Sequence, residues 1–155
     1  MKTIQLTQGK ETIIDDVDYE FLTQWKWHAA RYPNGWRVKR TINLGTSFKT
    51  VFMHREIAKR IGLDAPLIDH RDRNPLNNRR GNLRGASCSQ NLHNRGVPSN
   101  NTTGVKGVSF EKRSGRYKAA VTVEGKTHFC GYHTTLAKAE RAVVAKRTAL
   151  IGEFA

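Results

Sequence analysis

Cysteine and acidic residues are both scarce in this chain of 155 residues, and each shortage carries a consequence. The two cysteines, Cys88 and Cys130, stand alone without a CxxC pairing, which argues against a disulfide scaffold and a cysteine-rich zinc site. No apolar run approaches the roughly 18 residues that a membrane helix needs. The opening stretch, MKTIQLTQGKETIIDD, lacks an apolar h-region, which argues against a secretory signal. The expected setting is therefore intracellular, a reducing cytoplasm.

The shortage of acids is the informative one. Thirteen Asp and Glu face twenty-seven Lys and Arg, leaving a formal charge of +14 and a pI near 10.3. So dense a positive field on a small body attracts polyanions and releases their counterions on contact. Nucleic acid is the leading partner, although ribosomal and membrane-surface proteins share this balance. Hydrophobic residues at 37% and charged ones at 26% place the chain among globular proteins.

The few acids cluster between Glu11 and Glu20, whereas Arg and Lys dominate from Arg31 onward. The pattern predicts a short strand over 3–6 and a helix over 16–24. A hairpin across Pro33-Asn34-Gly35 should pair 26–32 with 36–41. Another strand is expected over 49–52 and a helix over 54–61, ended by Gly62. Trp25, Trp27 and Trp36 read as packing residues, with basic neighbours that permit backbone contact. The stretch 96–104, small, polar and punctuated by Pro and Gly, is linker chemistry.

The segment 67–95 reads LIDHRDRNPLNNRRGNLRGASCSQNLHNR. A short apolar lead ends in Asp69-His70. A loop rich in Asn and Arg returns through Asn82-Leu83, and Ser87 with Gln90 forms a capping-box pattern opening a helix that holds Asn91. Hydrolysis of a phosphodiester needs a base to activate water and a cation to neutralise developing charge. Histidine serves as a base near neutral pH. A carboxylate with an amide oxygen suits a hard divalent cation, Mg²⁺ or Mn²⁺. Asp69, His70 and Asn91 supply these parts. Neighbours on a regular strand point to opposite faces, so Asp69 and His70 share a site only if the strand ends or distorts there.

These residues resemble the HNH nuclease family, whose ββα-metal fold binds one cation between a hairpin and a helix. The likeness is closest to phage-type homing and nicking endonucleases, with an Asp-His pair and asparagines twelve and twenty-one residues after the His. The resemblance implies His70 as general base, Asp69 and Asn91 as metal ligands, and Asn82 as the residue holding loop and base in place. The family's frequent D-G-N appears here as Asp72-Arg73-Asn74. His93 is an alternative last ligand, but it lies about 200° round a regular helix from Asn91. His54, which recurs before the motif in this branch, reads as a packed histidine at a helix start. Arg79, Arg80, Arg84 and Arg95 are candidates for gripping phosphate.

From Gly104 the pattern is three strands, 105–110, 116–123 and 126–132, and a helix from Thr135 to Gly152 with a stripe of Leu136, Ala139, Val143 and Leu150, Ala142 alongside. Along the second strand Tyr117, Ala119, Val121 and Val123 share one face; Arg116, Lys118, Ala120 and Thr122 share the other. The apolar face should take the helix, leaving a flat basic face of the size the DNA major groove admits. The segment resembles the ethylene-response-factor type DNA-binding domain, through Gly104-Val105-Lys106-Gly107-Val108, Gly115-Arg116-Tyr117, Cys130-Gly131-Tyr132 and the closing Gly152-Glu153-Phe154-Ala155. That likeness implies a groove-facing set of Lys106, Ser109, Glu111, Thr122, Thr127 and Phe129, to which alternation adds Arg116 and Lys118. The plant domains carry arginines at several of these positions, so specificity here should be different and looser.

The expected fold class is α+β. A strand/helix lead (1–46) precedes an HNH motif (47–96), a linker (97–104) and a three-stranded antiparallel sheet packed on one helix (105–155). The expected function is metal-dependent cutting of double-stranded DNA, one strand at a time if the protein is a monomer. The rival is a non-catalytic DNA-binding regulator on a degenerate HNH fold.

Overall fold

In a computed structural model, which describes residues 1–33 and 35–152, the chain is of mixed α+β class and divides into two compact units, Met1–Ser87 and Cys88–Ala155. Asn34 of the expected turn and residues 153–155 of the closing mark lie outside the described residues. Among those described, no helix is long and apolar enough to cross a membrane.

The first unit opens with an antiparallel pair, β1 (Lys2–Gln5) and β2 (Glu11–Ile14), of which the pattern foresaw only the first. Helix α1 (Asp16–Leu22) follows, then a sheet of β3 (His28–Tyr32), β4 (Gly35–Asn43) and β5 (Phe48–Phe52) in that order. Helix α2 (Met53–Arg60) leads to the antiparallel pair β6 (Leu67–His70) and β7 (Leu83–Ala86). One core serves all of these: Ile14, Leu22, Trp27, Val38, Met53, Ile57 and Leu83 are buried together. Each such side chain contributes roughly 1.5–3 kcal/mol by leaving water. Trp27 is wholly structural; its indole N–H donates to the Leu22 carbonyl at 2.8 Å. The lead and the motif's hairpin are thus packed as one body, while residues from Cys88 on belong to the second unit.

The early acids find their purpose here. Asp18 is fully enclosed, and its carboxylate accepts two bonds from Arg80 (2.7 and 2.8 Å) and one from Arg60 (3.1 Å). Asp15 accepts from the Arg80 backbone N–H at 2.7 Å and from Arg79 Nε at 3.3 Å. The bonds from Arg80 hold the Asp18 carboxyl below its usual pKa, against the opposing effect of burial. Two of the clustered acids, Asp15 and Asp18, are the counter-charges of Arg79 and Arg80.

The second unit begins with the short helix α3 (Cys88–His93). Strands β8 (Val108–Glu111), β9 (Arg116–Val123) and β10 (Lys126–His133) form a sheet with β9 central, covered by helix α4 (Leu136–Ile151). The Thr135 side chain caps α4 through the Lys138 N–H, and Gly152, at φ 54°, ends it. Val108, Ala119, Val121, Ala139 and Val143 make the core.

Two expectations are corrected. The first strand starts at Val108 rather than at residue 105, because Gly107 turns the chain at φ 85°. A Cβ there would stand 2.6 Å from the Ala120 carbonyl oxygen, so only glycine fits. Leu150 is exposed, because the apolar cover needed by three short strands ends at Val143.

Candidate active site

The β6–β7 register is regular through its last pair, Asp69 opposite Arg84 and His70 opposite Leu83. The strand ends at His70, which is the condition for Asp69 and His70 to share a site, although the regular register keeps them on opposite faces up to that last pair. Asp69 is buried, and its Oδ2 accepts from Arg84 Nε at 3.0 Å; Arg84 is itself buried. The expectation that Arg84 grips phosphate gives way to an internal ion pair, since cross-strand neighbours of opposite charge meet. The same holds for Arg80, whose guanidinium forks onto Asp18. Arg79 remains half-exposed beside Asp15, and Arg95, in the second unit, is exposed.

His70 is buried, and Asn78, His54 and Arg37 are among the groups that act on it. Its Nε2 lies 3.3 Å from Asn78 Oδ1, its ring meets His54 edge-on at 5.3 Å between centroids, and the charge of Arg37 reaches both histidines. His54 in turn stacks on Phe52 at 5.6 Å. Burial lowers the pKa of His70 despite the opposing bond from Asn78. Burial, then His70, Arg37 and Arg55 push His54 down to about 3. Both rings are neutral at pH 7, and a neutral imidazole is the form that accepts a proton. His54 is a packed residue at a helix start, as the sequence suggested, but it packs on the candidate base.

Behind His70 the loop is held by side-chain amides. Asn82 donates to Asp72 Oδ1 (2.9 Å) and the Asn77 carbonyl (2.7 Å), while its Oδ1 accepts from the Asp72 N–H (3.1 Å). Asp72 also accepts from the Asn74 N–H and from Asn77 Nδ2, and these bonds hold its carboxyl below the usual range, against burial. Arg73, standing where the family has glycine, takes φ 62°. That left-handed geometry costs a side-chain-bearing residue roughly 1–2 kcal/mol; the amide lattice around it keeps the turn.

Thr12, Arg37 and Asn78 carried no sequence signal. Asn77 and Asn78 are adjacent and chemically identical; only the fold turns Asn78 inward to zero exposure.

In the second unit, Asn91 lies half-buried on α3. His93, half-buried on the same helix, has its pKa lowered by burial and by the cations Lys106 and Arg147, surroundings that disfavour a bound metal ion. Asp69, in the first unit, and Asn91, in the second, each offer a hard oxygen donor of the kind that Mg²⁺ or Mn²⁺ takes. No group of three or more His, Cys, Asp or Glu occurs together among the described residues, so a cation held mainly by protein nitrogen or sulfur has no cage there.

On the sheet of this unit Ser109, Arg116, Lys118, Thr122, Thr127 and Phe129 are exposed and share one face; Glu111 is partly so. Thr122 and Thr127 bond across the strands at 3.0 Å. Lys106 is a correction: its Nζ donates to the carbonyls of His93 (2.6 Å) and Arg95 (2.8 Å), drawn by unsatisfied acceptors at the end of α3 rather than aimed from the sheet. Tyr132 was missed. A bulge between Phe129 and Gly131 shifts the alternation, bringing Tyr132 to ring contact with Phe129 and its hydroxyl 3.4 Å from Glu111.

Comparison with known proteins gives two relatives. Protein 3.8 of Escherichia phage T7 is 46% identical over 61 residues, 39% of this chain and 50% of the phage protein. A protein of Acanthamoeba polyphaga mimivirus, described as an uncharacterized HNH endonuclease, is 30% identical over 139 residues, 88% of this chain and 68% of the viral one. The chain thus matches half the length of the phage relative. No family model matches, and no solved structure does.

Proposed function

Since the chain belongs to the HNH endonuclease family, we propose that it is a divalent-metal-dependent nuclease of the nicking or homing type that hydrolyses phosphodiesters of double-stranded DNA. The observation that carries this reading is His70: a neutral imidazole, enclosed yet held at one nitrogen by Asn78, on a hairpin whose loop is locked by Asn82. His70 takes a proton from water as the oxygen attacks phosphorus. The P–O3′ bond breaks, leaving a 5′ phosphate, and the departing 3′ oxygen takes a proton from solvent water while His70 later returns its own to solvent. One divalent cation, with Asp69 and Asn91 as its protein ligands, would neutralise charge on the phosphoryl group and the leaving oxygen. Asn82 is a positioning residue for the loop that carries the base. The charge of +14 supports a polyanionic substrate.

The plainest test is conversion of supercoiled plasmid to open circles. Nicking in Mg²⁺ that a chelator abolishes is expected. Equal inactivity with and without chelator, on DNA the protein binds, would overturn the enzyme reading and favour a DNA-binding regulator.

The exposed sheet face of the second unit is proposed as an ethylene-response-factor type reader of duplex DNA, with Arg116, Lys118, Thr122, Thr127 and Phe129 at its centre. Arg116 and Lys118 are exposed, so their replacement leaves the core intact. Each alanine substitution should lower the slope of log affinity against log salt by about 0.9. Fluorescence anisotropy across a KCl series measures this; an unchanged slope in the double variant would remove the face from the DNA interface.

A further inference from the structure

The N-terminal pair β1–β2 has so far only a packing role, yet β2 reaches the candidate base. Ile13 donates its N–H to the Leu76 carbonyl at 2.9 Å, and the Asn78 N–H returns to the Ile13 carbonyl at 2.8 Å. Between them the Thr12 side chain, wholly buried, points at Asn78, also wholly buried.

The polarity of this chain of bonds follows from which atoms can donate. Backbone carbonyls only accept. Thr12 Oγ1 sits 2.8 Å from the Leu76 carbonyl, so its single proton is directed there. A hydroxyl that has given its proton accepts from its other neighbour, here Asn78 Nδ2 at 2.8 Å. The Pro75 carbonyl, at a longer 3.3 Å from the same Nδ2, agrees with that orientation, while the shorter bond to Thr12 dominates it. Asn78 therefore shows only its oxygen to His70, and an oxygen without a proton can only accept. His70 Nε2 must carry the hydrogen. In the neutral ring the lone pair then resides on Nδ1.

We propose that Thr12 and Asn78 are positioning residues that set the His70 tautomer, so that Nδ1 is the nitrogen that accepts the proton of water. The inference rests on His70 being the base. A base must combine geometry with the right protonation state, and a buried hydrogen-bond network that directs the Asn78 oxygen at Nε2 contributes to both. Met53 closes the arrangement, its sulfur 3.9 Å from the Thr12 hydroxyl. The relay joins residues 66 positions apart.

The test reads the tautomer directly, by long-range ¹H–¹⁵N correlation on the imidazoles of ¹⁵N-labelled protein without DNA or metal. Wild-type His70 should show a protonated Nε2 and an unprotonated Nδ1. T12V removes the hydroxyl at nearly constant volume; it should give a mixed or reversed tautomer and a kcat lower by about 10- to 100-fold. KM for plasmid should stay within about twofold, and T12S should restore tautomer and rate together. A proton on Nδ1 in the wild type, or T12V with unaltered tautomer and kcat, would overturn the relay. The wild-type measurement decides the matter even if T12V does not fold. A wild type with the Nε2–H tautomer that fails to nick DNA upholds the relay and defeats the nuclease reading, so the two failures are separable.

Discussion

Substituting His70 by glutamine should lower plasmid cleavage by about 10²- to 10⁴-fold, the range for loss of a general base, with duplex affinity changed by less than about twofold. Glutamine is preferred to alanine because His70 is buried and bonded. Alanine would leave Asn78 Oδ1 without its donor, a desolvation cost of about 1–3 kcal/mol that confuses folding with chemistry. Gln offers a side-chain N–H in place of Nε2–H but no basic nitrogen. Single-turnover rates on saturating enzyme separate the chemical step from binding. A rate within tenfold of wild type would remove His70 from the role of base, whatever the fold.

The second large effect concerns stability. Asp18→Asn keeps the volume of an enclosed side chain while deleting the charge that faces Arg60 and Arg80. Breaking a fully buried ion pair costs about 3–5 kcal/mol. Both guanidiniums are about one-third exposed, which screens the loss, so about 2 kcal/mol is expected. Thermal unfolding should then shift down by about 10 °C for a unit of this size.

The pH dependence provides an internal control. The native Asp18 carboxyl has a depressed pKa, so in acid the unfolded chain binds its proton first, near pH 4. The contribution is complete above the unfolded pKa and is lost as pH falls through the native one. The gap between wild type and Asp18→Asn should therefore close in acid. A gap independent of pH would mean that packing rather than charge is at stake.

Much of this was readable along the chain, because it depends on local chemistry and on periods of two and 3.6 residues. The alternation of 116–123 placed Tyr117, Ala119 and Val121 inward and Arg116, Lys118 and Thr122 outward, as observed. Thr135 and Gly152 bounded the last helix because capping is a matter of a few adjacent residues. The intervals between His70, Asn82 and Asn91 named a chemistry before any fold was known.

What the tertiary structure decided were the pairings that no local rule encodes. Arg84 reads as a surface cation until the register of β6 and β7 sets it opposite Asp69. Asp18 is one of several clustered acids along the chain, and only the fold closes Arg60 and Arg80 over it. Tyr132 changes face because one bulged residue shifts the period of two. Asn78 differs from Asn77 only in the direction the loop turns it, and its partner Thr12 lies on a strand the pattern did not reveal. By itself the sequence determined which donors and acceptors are available and at what spacing, since these are properties of residues. The direction of each hydrogen bond and the pairing of each buried charge depended on long-range packing, because desolvation forces a partner on every enclosed polar group but leaves its identity to the fold.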